Sequence, residues 1–264
     1  MIVDFHAHVF PDELAPKAIA GLSACLDCVL VPVNDGTVGG LLKNMDAWDI
    51  DISVIQPVVT KQSQFKGINE WAAGVCSDRL VCFGGIFQYT DDFRRDIDFV
   101  VSLGLKGLKF HPEYQSFVVD SDDMLKIYDY ALSKGLILFF HAGLDEAYRP
   151  PPNSTPQQFA RIAGAMPGGV IVASHLGGYR MWDDVEEYLA GCDIYMDTAM
   201  GFEYFSHEQF LRILEKHDPK KLLFGSDAPW SNAEDEIRHI RSLPISQSDI
   251  DSILGGNALR ILGK

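Results

Sequence analysis

Eight short apolar runs, rich in β-branched and aromatic residues, recur along the chain, and each is followed by a polar or amphipathic stretch. They are Ile2 to Val9, Ile52 to Val58, Leu80 to Phe87, Leu105 to Phe110, Leu136 to His141, Val170 to His175, Asp193 to Asp197 and Leu222 to Asp227. Their length and composition predict strands. Helical periodicity fills the intervals. Asp91 to Leu103 carries Phe93, Ile97, Val100 and Val101, and Asp122 to Ser133 carries Leu125, Ile127, Tyr128 and Leu132, with Gly135 as the stop. Thr155 with Gln158, and Ser206 with Gln209, have capping-box spacing. A last helix is predicted from about Ser246 to Leu262. Pro11 to Asn34 is less regular and reads as an inserted helix plus loop. Leu144 to Ser154, with prolines at 150–152, reads as a long loop.

Eight strand–helix units in 264 residues predict one α/β domain, residues 1–264, folded as a single (β/α)8 TIM barrel. Right-handed crossovers close such a series on itself. The alternative, an open doubly wound sheet, carries a Gly-rich phosphate turn after its first strand; here that position reads His-Ala-His-Val-Phe-Pro. A content of 47% hydrophobic and 22% charged residues excludes disorder, collagen and coiled coil.

Lys and Arg number 22 against 37 Asp and Glu, a formal net charge of -15, with no Lys/Arg cluster. Such a surface repels phosphate backbones and anionic lipid, so a small-molecule substrate is expected rather than nucleic acid or membrane. The N-terminus shows neither the basic nor the apolar region of a signal peptide. The longest apolar run, Leu136 to Phe140, is too short to cross a bilayer. The five cysteines are odd in number and sparse, so the expected location is a reducing cytoplasm. Cys25 and Cys28 form a lone C-x-x-C without a second pair, which reads as structural or incidental rather than redox or metal chemistry. The oligomeric state is open, a homodimer included.

His6 and His8 lie two apart at the end of the first run, and period-2 geometry sends both side chains to one face. A lone H-x-H is a weak signal, and position strengthens it. His141 ends the fifth run, His175 the sixth and Asp227 the eighth. In a β/α barrel those ends converge on one mouth, where catalytic residues of this fold sit. Elsewhere five such groups are costly to bury, so the set predicts a metal site. Imidazoles and a carboxylate suit a borderline divalent ion, Zn²⁺ first, with Mn²⁺ or Fe²⁺ behind. Asp4 shares the parity of His6 and His8 one layer deeper and reads as a supporting polar residue. His111 and Glu113 follow the fourth run as substrate or further metal contacts. Arg149 and Arg180, in the loops after runs five and six, are candidate clamps for an anionic substrate, with solvated surface charge as the alternative.

These segments together resemble the amidohydrolase superfamily, in its amidohydrolase-related branch of metal-dependent hydrolases and decarboxylases. The matching segments are Val-Asp-Phe-His-Ala-His, Gly-Leu-Lys-Phe-His-Pro, Phe-His-Ala-Gly, Ser-His-Leu-Gly-Gly, Phe-Gly-Ser-Asp-Ala-Pro-Trp and Gly-Asn-Ala-Leu-Arg-Ile-Leu, spread over residues 3 to 262. The resemblance implies that His6, His8, His141 and Asp227 are metal ligands. It implies that His175 is a second-metal ligand or a catalytic, water-orienting group. Lys109 is implied to be carbamylated between two metals, to bind a substrate carboxylate, or to be paired structurally with an acid. The implied activity is hydrolysis of an amide, lactone or other ester, with Asp227 as proton acceptor and His175 assisting. Decarboxylation of an aromatic or unsaturated acid is the second reading, and a non-catalytic metal-binding barrel the third.

Overall fold

All eight predicted strands are present in the computed structural model, which describes residues 1–23 and 30–264. They are β1 (Val3–Ala7), β2 (Ile52–Ile55), β3 (Leu80–Cys82), β4 (Gly107–Phe110), β5 (Ile137–Phe140), β6 (Ile171–Ala173), β7 (Tyr195–Asp197) and β8 (Leu222–Leu223). Pairing is parallel and in sequence order, in two arcs, β1-β2-β3 and β4-β5-β6-β7-β8. Backbone hydrogen bonds join the arcs at both ends. Gly84 N–H donates to the Gly107 carbonyl at 2.8 Å and Lys109 N–H to Gly84 at 2.9 Å. Across the other seam, Phe5 N–H donates to Phe224 at 2.8 Å and His8 N–H to Ala228 at 2.6 Å. The sheet therefore closes as a β/α barrel, and the open doubly wound alternative is excluded. β2, β3, β6 and β8 are shorter than their apolar runs chiefly because the residues after them leave the ladder to form the mouth, whereas β4 and β7 begin later than theirs.

The helices are α1 (Ala15–Leu22), α2 (Val38–Ala47), α3 (Phe65–Val75), α4 (Phe93–Ser102), α5 (Pro112–Gln115), α6 (Asp122–Ser133), α7 (Pro156–Ala165), α8 (Trp182–Asp184), α9 (His207–Lys216), α10 (Ala233–Ser242), α11 (Gln247–Asp251) and α12 (Asn257–Leu262). Thr155 and Gln158 make the reciprocal capping box of α7, and Ser206 caps α9 through the Gln209 N–H. The predicted final helix is broken by a π-helical turn at Ser252–Gly256. There Gly255 lies against the backbone of Met1, so close that a Cβ would overlap the Met1 carbonyl. α1 falls within the predicted insertion. The Cys25–Cys28 pair lies outside the described residues.

The barrel interior is a plug of Phe5, Val54, Phe83, Phe139, Val172 and Leu223. Phe5 meets Phe83 edge-on at 5.8 Å and Phe139 at 6.1 Å. A second core, with Phe110 and Phe140, packs between strands and helices. β1 departs from the simple alternation predicted for it. Its register against β2 shifts between Asp4 and Ala7, so Phe5 occupies the deep layer that parity assigned to Asp4. His6 also packs against Phe139, at 4.8 Å. Asp4 instead accepts from the Ser226 N–H at 2.9 Å and the Ser226 hydroxyl at 2.6 Å, tying β1 to the chain after β8. Among the described residues, no helix is long and apolar enough to cross a membrane.

Candidate metal centre

The residues that end β1, β5, β6 and β8 meet above the phenylalanine plug. His6 Nε2 lies 3.2 Å from His8 Nε2, and Asp227 Oδ1 lies 3.2 Å from the first and 3.0 Å from the second. Beside them His175 Nε2 faces His141 Nδ1 at 3.2 Å. Asp227 and His175 both hold positive φ, 63° and 56°. That left-handed region is costly for a non-glycine residue and recurs at functional sites. Asp227 N–H donates to the His6 carbonyl at 2.7 Å, so β1 itself holds the carboxylate in place.

Hydrogen bonding fixes which nitrogen of each ring is bare. His8 Nδ1 lies 2.9 Å from the Gln56 carbonyl, His175 Nδ1 3.0 Å from Ala199, and His141 Nε2 3.0 Å from Leu144. A carbonyl only accepts, so each of these nitrogens carries the proton. His6 Nδ1 donates likewise to Asp197 Oδ2 at 3.0 Å. Burial pushes the imidazoles of His6 and His141 well below the ordinary histidine value, so both are neutral. Their second nitrogens are then lone pairs, and these lone pairs point at one another and at a carboxylate.

Such a convergence calls for a cation among the lone pairs, and Lys109, with Nζ 3.3 Å from His6 Nε2, reaches one of them. Ligands of a tetrahedral Zn²⁺, at about 2.0–2.2 Å from the ion, stand roughly 3.3 Å apart, close to the spacing of His6, His8 and Asp227. The donor set therefore fits a divalent metal, and each ligand-type ring has the outer hydrogen bond that orients metal-bound imidazoles.

Three groups of His and Asp with metal-ligand spacing occur among the described residues: His6, His8, Asp227; His6, His175, Asp197; and His111, His141, Asp145. Asp197, the last residue of β7, was not singled out in the sequence, although it ends a strand as the other site residues do. Its Oδ1 accepts from the N–H of His175 at 2.9 Å and of Ala199 at 3.0 Å. Burial pushes its carboxyl up to about 6, against those hydrogen bonds and the nearby His175. His111 differs from the other four rings. Its Nδ1 accepts the Tyr114 N–H at 3.4 Å, capping α5, and its Nε2 faces Asp145 at 3.4 Å. That leaves it a proton to donate rather than a lone pair.

Lys109 is fully buried, with Nζ 3.3 Å from His6 Nε2 and 4.4 Å from the Phe139 ring centre. Burial brings it down to about 8, and Asp227 and Asp197 oppose that. Glu113 Oε1 accepts from the Asn153 N–H at 2.7 Å, holding the long loop after β5. The structure does not bring Arg149 or Arg180 into the cavity. Arg149 is exposed. Arg180 is drawn away by Glu146, at 2.8 Å, and by the rings of Tyr179 and Tyr204.

Gly225 explains how β1 and β8 approach so closely. A Cβ there would stand 2.9 Å from His6 Cβ and 3.2 Å from Asp197 Cγ. Gly225→Ala is expected to push His6 off its position, at about 1–3 kcal/mol of overpacking. Thermal melting and metal content are both expected to fall; an unchanged pair of values would show that the strands have room to spare.

A cluster of buried His and Asp at the C-terminal mouth of a parallel barrel marks the β/α-barrel class with metal-type sites. The chain belongs to the amidohydrolase family, whose sequence profile matches residues 3–264. No curated protein matches it. Among solved structures it is similar to 5-carboxyvanillate decarboxylase from Sphingomonas paucimobilis, with TM-score 0.73, 17% identity and coverage of 99% of this chain and 98% of that one. It is also similar to 2,6-dihydroxybenzoate decarboxylase, at TM-score 0.71, 15% identity and coverage of 100% and 99%. A third is a probable 2-pyrone-4,6-dicarboxylic acid hydrolase from Acinetobacter baumannii, at TM-score 0.67, 16% identity and coverage of 100% and 99%. At such identities the likeness establishes the fold, which is a TIM barrel.

Proposed function

We propose that this chain, acting as one catalytic unit, is a metal-dependent hydrolase that cleaves an amide, lactone or other ester bond in a small molecule. The observation that carries the reading is the convergence of three donor atoms, on His6, His8 and Asp227, at 3.0–3.2 Å. These three residues hold the ion in this proposal, and His141 and His175 present the next pair of lone pairs beside it. Zn²⁺ is the first choice, with Mn²⁺ or Fe²⁺ next. A bound divalent ion supplies Lewis acidity and makes water a nucleophile at neutral pH.

The chain's own groups handle the proton. Asp227 turns Oδ1 to the two histidines, and its other oxygen takes the proton and passes it to the leaving group. His175, whose Nδ1 donates to the Ala199 carbonyl, offers Nε2 as an acceptor. It orients water rather than donating to the scissile carbonyl. His111, with its Nε2–H toward Asp145, and Lys109 are the donors assigned to substrate oxygens.

Decarboxylation remains the second reading, because two of the fold neighbours remove CO₂ from aromatic acids. It is weaker here because Arg149 and Arg180, the candidate clamps for a carboxylate, stay outside the cavity, Arg180 being held by Glu146. Protein loaded with Zn²⁺, Mn²⁺ or Fe²⁺ and offered aryl esters, lactones and aromatic acids tests the choice. Hydrolysis is expected to release acid in a pH-stat, to stop with a chelator and to return with metal. CO₂ release from an aromatic acid without ester or lactone turnover would replace hydrolase by decarboxylase.

A further inference from the structure

The cavity above the metal cluster, about 570 Å³, extends well beyond the histidines. One arm runs outward between α1 and α3. Its walls are Phe10, Leu14 and Ala18 on one side and Val58, Ile68 and Trp71 on the other. Ile68 and Trp71 are only half-buried, and Leu14 is 57% exposed, so among the described residues apolar surface is left uncovered here. In this stretch Thr60 already donates from its N–H and hydroxyl to Gln64 Oε1, at 3.2 and 3.0 Å.

Charge points the same way. Among the described residues Lys109 is the one Lys or Arg that lines the cavity, and it sits at the metal end. Asp145 and Glu146 line it as well. Residues 24–29, outside the described residues, contain neither Lys nor Arg. A second anionic group on a substrate would thus find no counter-charge in the arm. An apolar group there would cover Leu14, Ile68 and Trp71 and lose its own contact with water.

We propose that the substrate carries an extended apolar group, alkyl or alkyl-aryl, on the bond that is cleaved, and that the arm between α1 and α3 binds it. This rests on the hydrolase reading for the metal end only. Ile68 and Trp71 form one wall, and Ala18 sets how much room the other leaves. Each methylene buried in such a site contributes about 0.8 kcal/mol, close to fourfold in affinity.

The test uses alkanehydroxamates, whose head group binds divalent metals while the tail probes the arm. With metal-loaded protein, calorimetric Kd is expected to fall about 10²-fold from acetohydroxamate to hexanohydroxamate. Succinate monohydroxamate, with a charged tail, is expected to bind far more weakly than butanohydroxamate. Ile68→Glu and, independently, Ala18→Trp are expected to flatten the chain-length series and leave acetohydroxamate unchanged. A flat series in the parent protein, or equal affinity for the charged tail, overturns the arm while the metal reading stands. If no hydroxamate binds, the metal reading fails. Hexan-1-ol and decan-1-ol, followed by tryptophan fluorescence, then decide the arm alone: binding that strengthens with chain length and is lost in Ile68→Glu sustains it, and no such binding overturns it.

Discussion

Asp227→Asn, reloaded with metal, is expected to keep a substantial share of the ion and to lose between 10² and 10⁴ in kcat. Asparagine preserves the shape and one ligating oxygen but cannot accept a proton at neutral pH, and general-base catalysis is typically worth that factor. The backbone is not the obstacle. Asp227 sits at φ 63°, and asparagine is among the residues that tolerate the left-handed region best. Folding should therefore survive, and the measurement is kcat against bound metal per chain. A near-parent rate at full metal would remove Asp227 as the proton acceptor. His175, whose Nε2 lone pair stands ready beside the cluster, would take its place.

Loss of the metal itself is the second large effect. His6→Ala and His8→Ala are each expected to lose most of the bound ion, because each deletes one of three donors that meet at 3.0–3.2 Å. The two variants should differ in stability. His8 is partly exposed and donates only to the Gln56 carbonyl. His6 is buried, and its Nδ1 donates to Asp197, which is fully enclosed. Deleting His6 leaves that carboxylate short of a partner, at roughly 1–3 kcal/mol for an unsatisfied buried group. Metal-free His6→Ala should accordingly melt lower than metal-free His8→Ala. Full metal occupancy in either variant would take that histidine out of the ligand set. Equal melting temperatures would mean that Asp197 finds another donor.

Much of the molecule follows from local pattern. Alternating short apolar runs and amphipathic stretches are enough to place eight strands in order, since each strand's signal lies within its own four to eight residues. Thr155 with Gln158 and Ser206 with Gln209 mark helix starts for the same reason: a cap is made by residues three apart. His6, His8, His141, His175 and Asp227 are visible as polar residues at the ends of apolar runs, where burial would otherwise be costly.

What the sequence could not decide depends on contacts between residues far apart in the chain. Asp197 is as plainly at a strand end as His141, yet its role comes from His6 Nδ1, 191 residues away. Parity placed Asp4 in the deep layer, but pairing with β2 shifted the register and gave that place to Phe5, because register is a property of two strands together. Arg149 and Arg180 read as clamps by position; the partners Glu146, Tyr179 and Tyr204, which hold Arg180 outside the cavity, come together only in space. The proton positions on the histidines are set by carbonyls of Gln56, Leu144 and Ala199, which no periodicity marks. The apolar arm is likewise built from α1 and α3, elements about fifty residues apart whose facing sides enclose one cleft only when the barrel closes. Order and candidate chemistry are local properties of the chain. Which lone pair faces which, and what shape of molecule fits beside them, are decided by tertiary geometry.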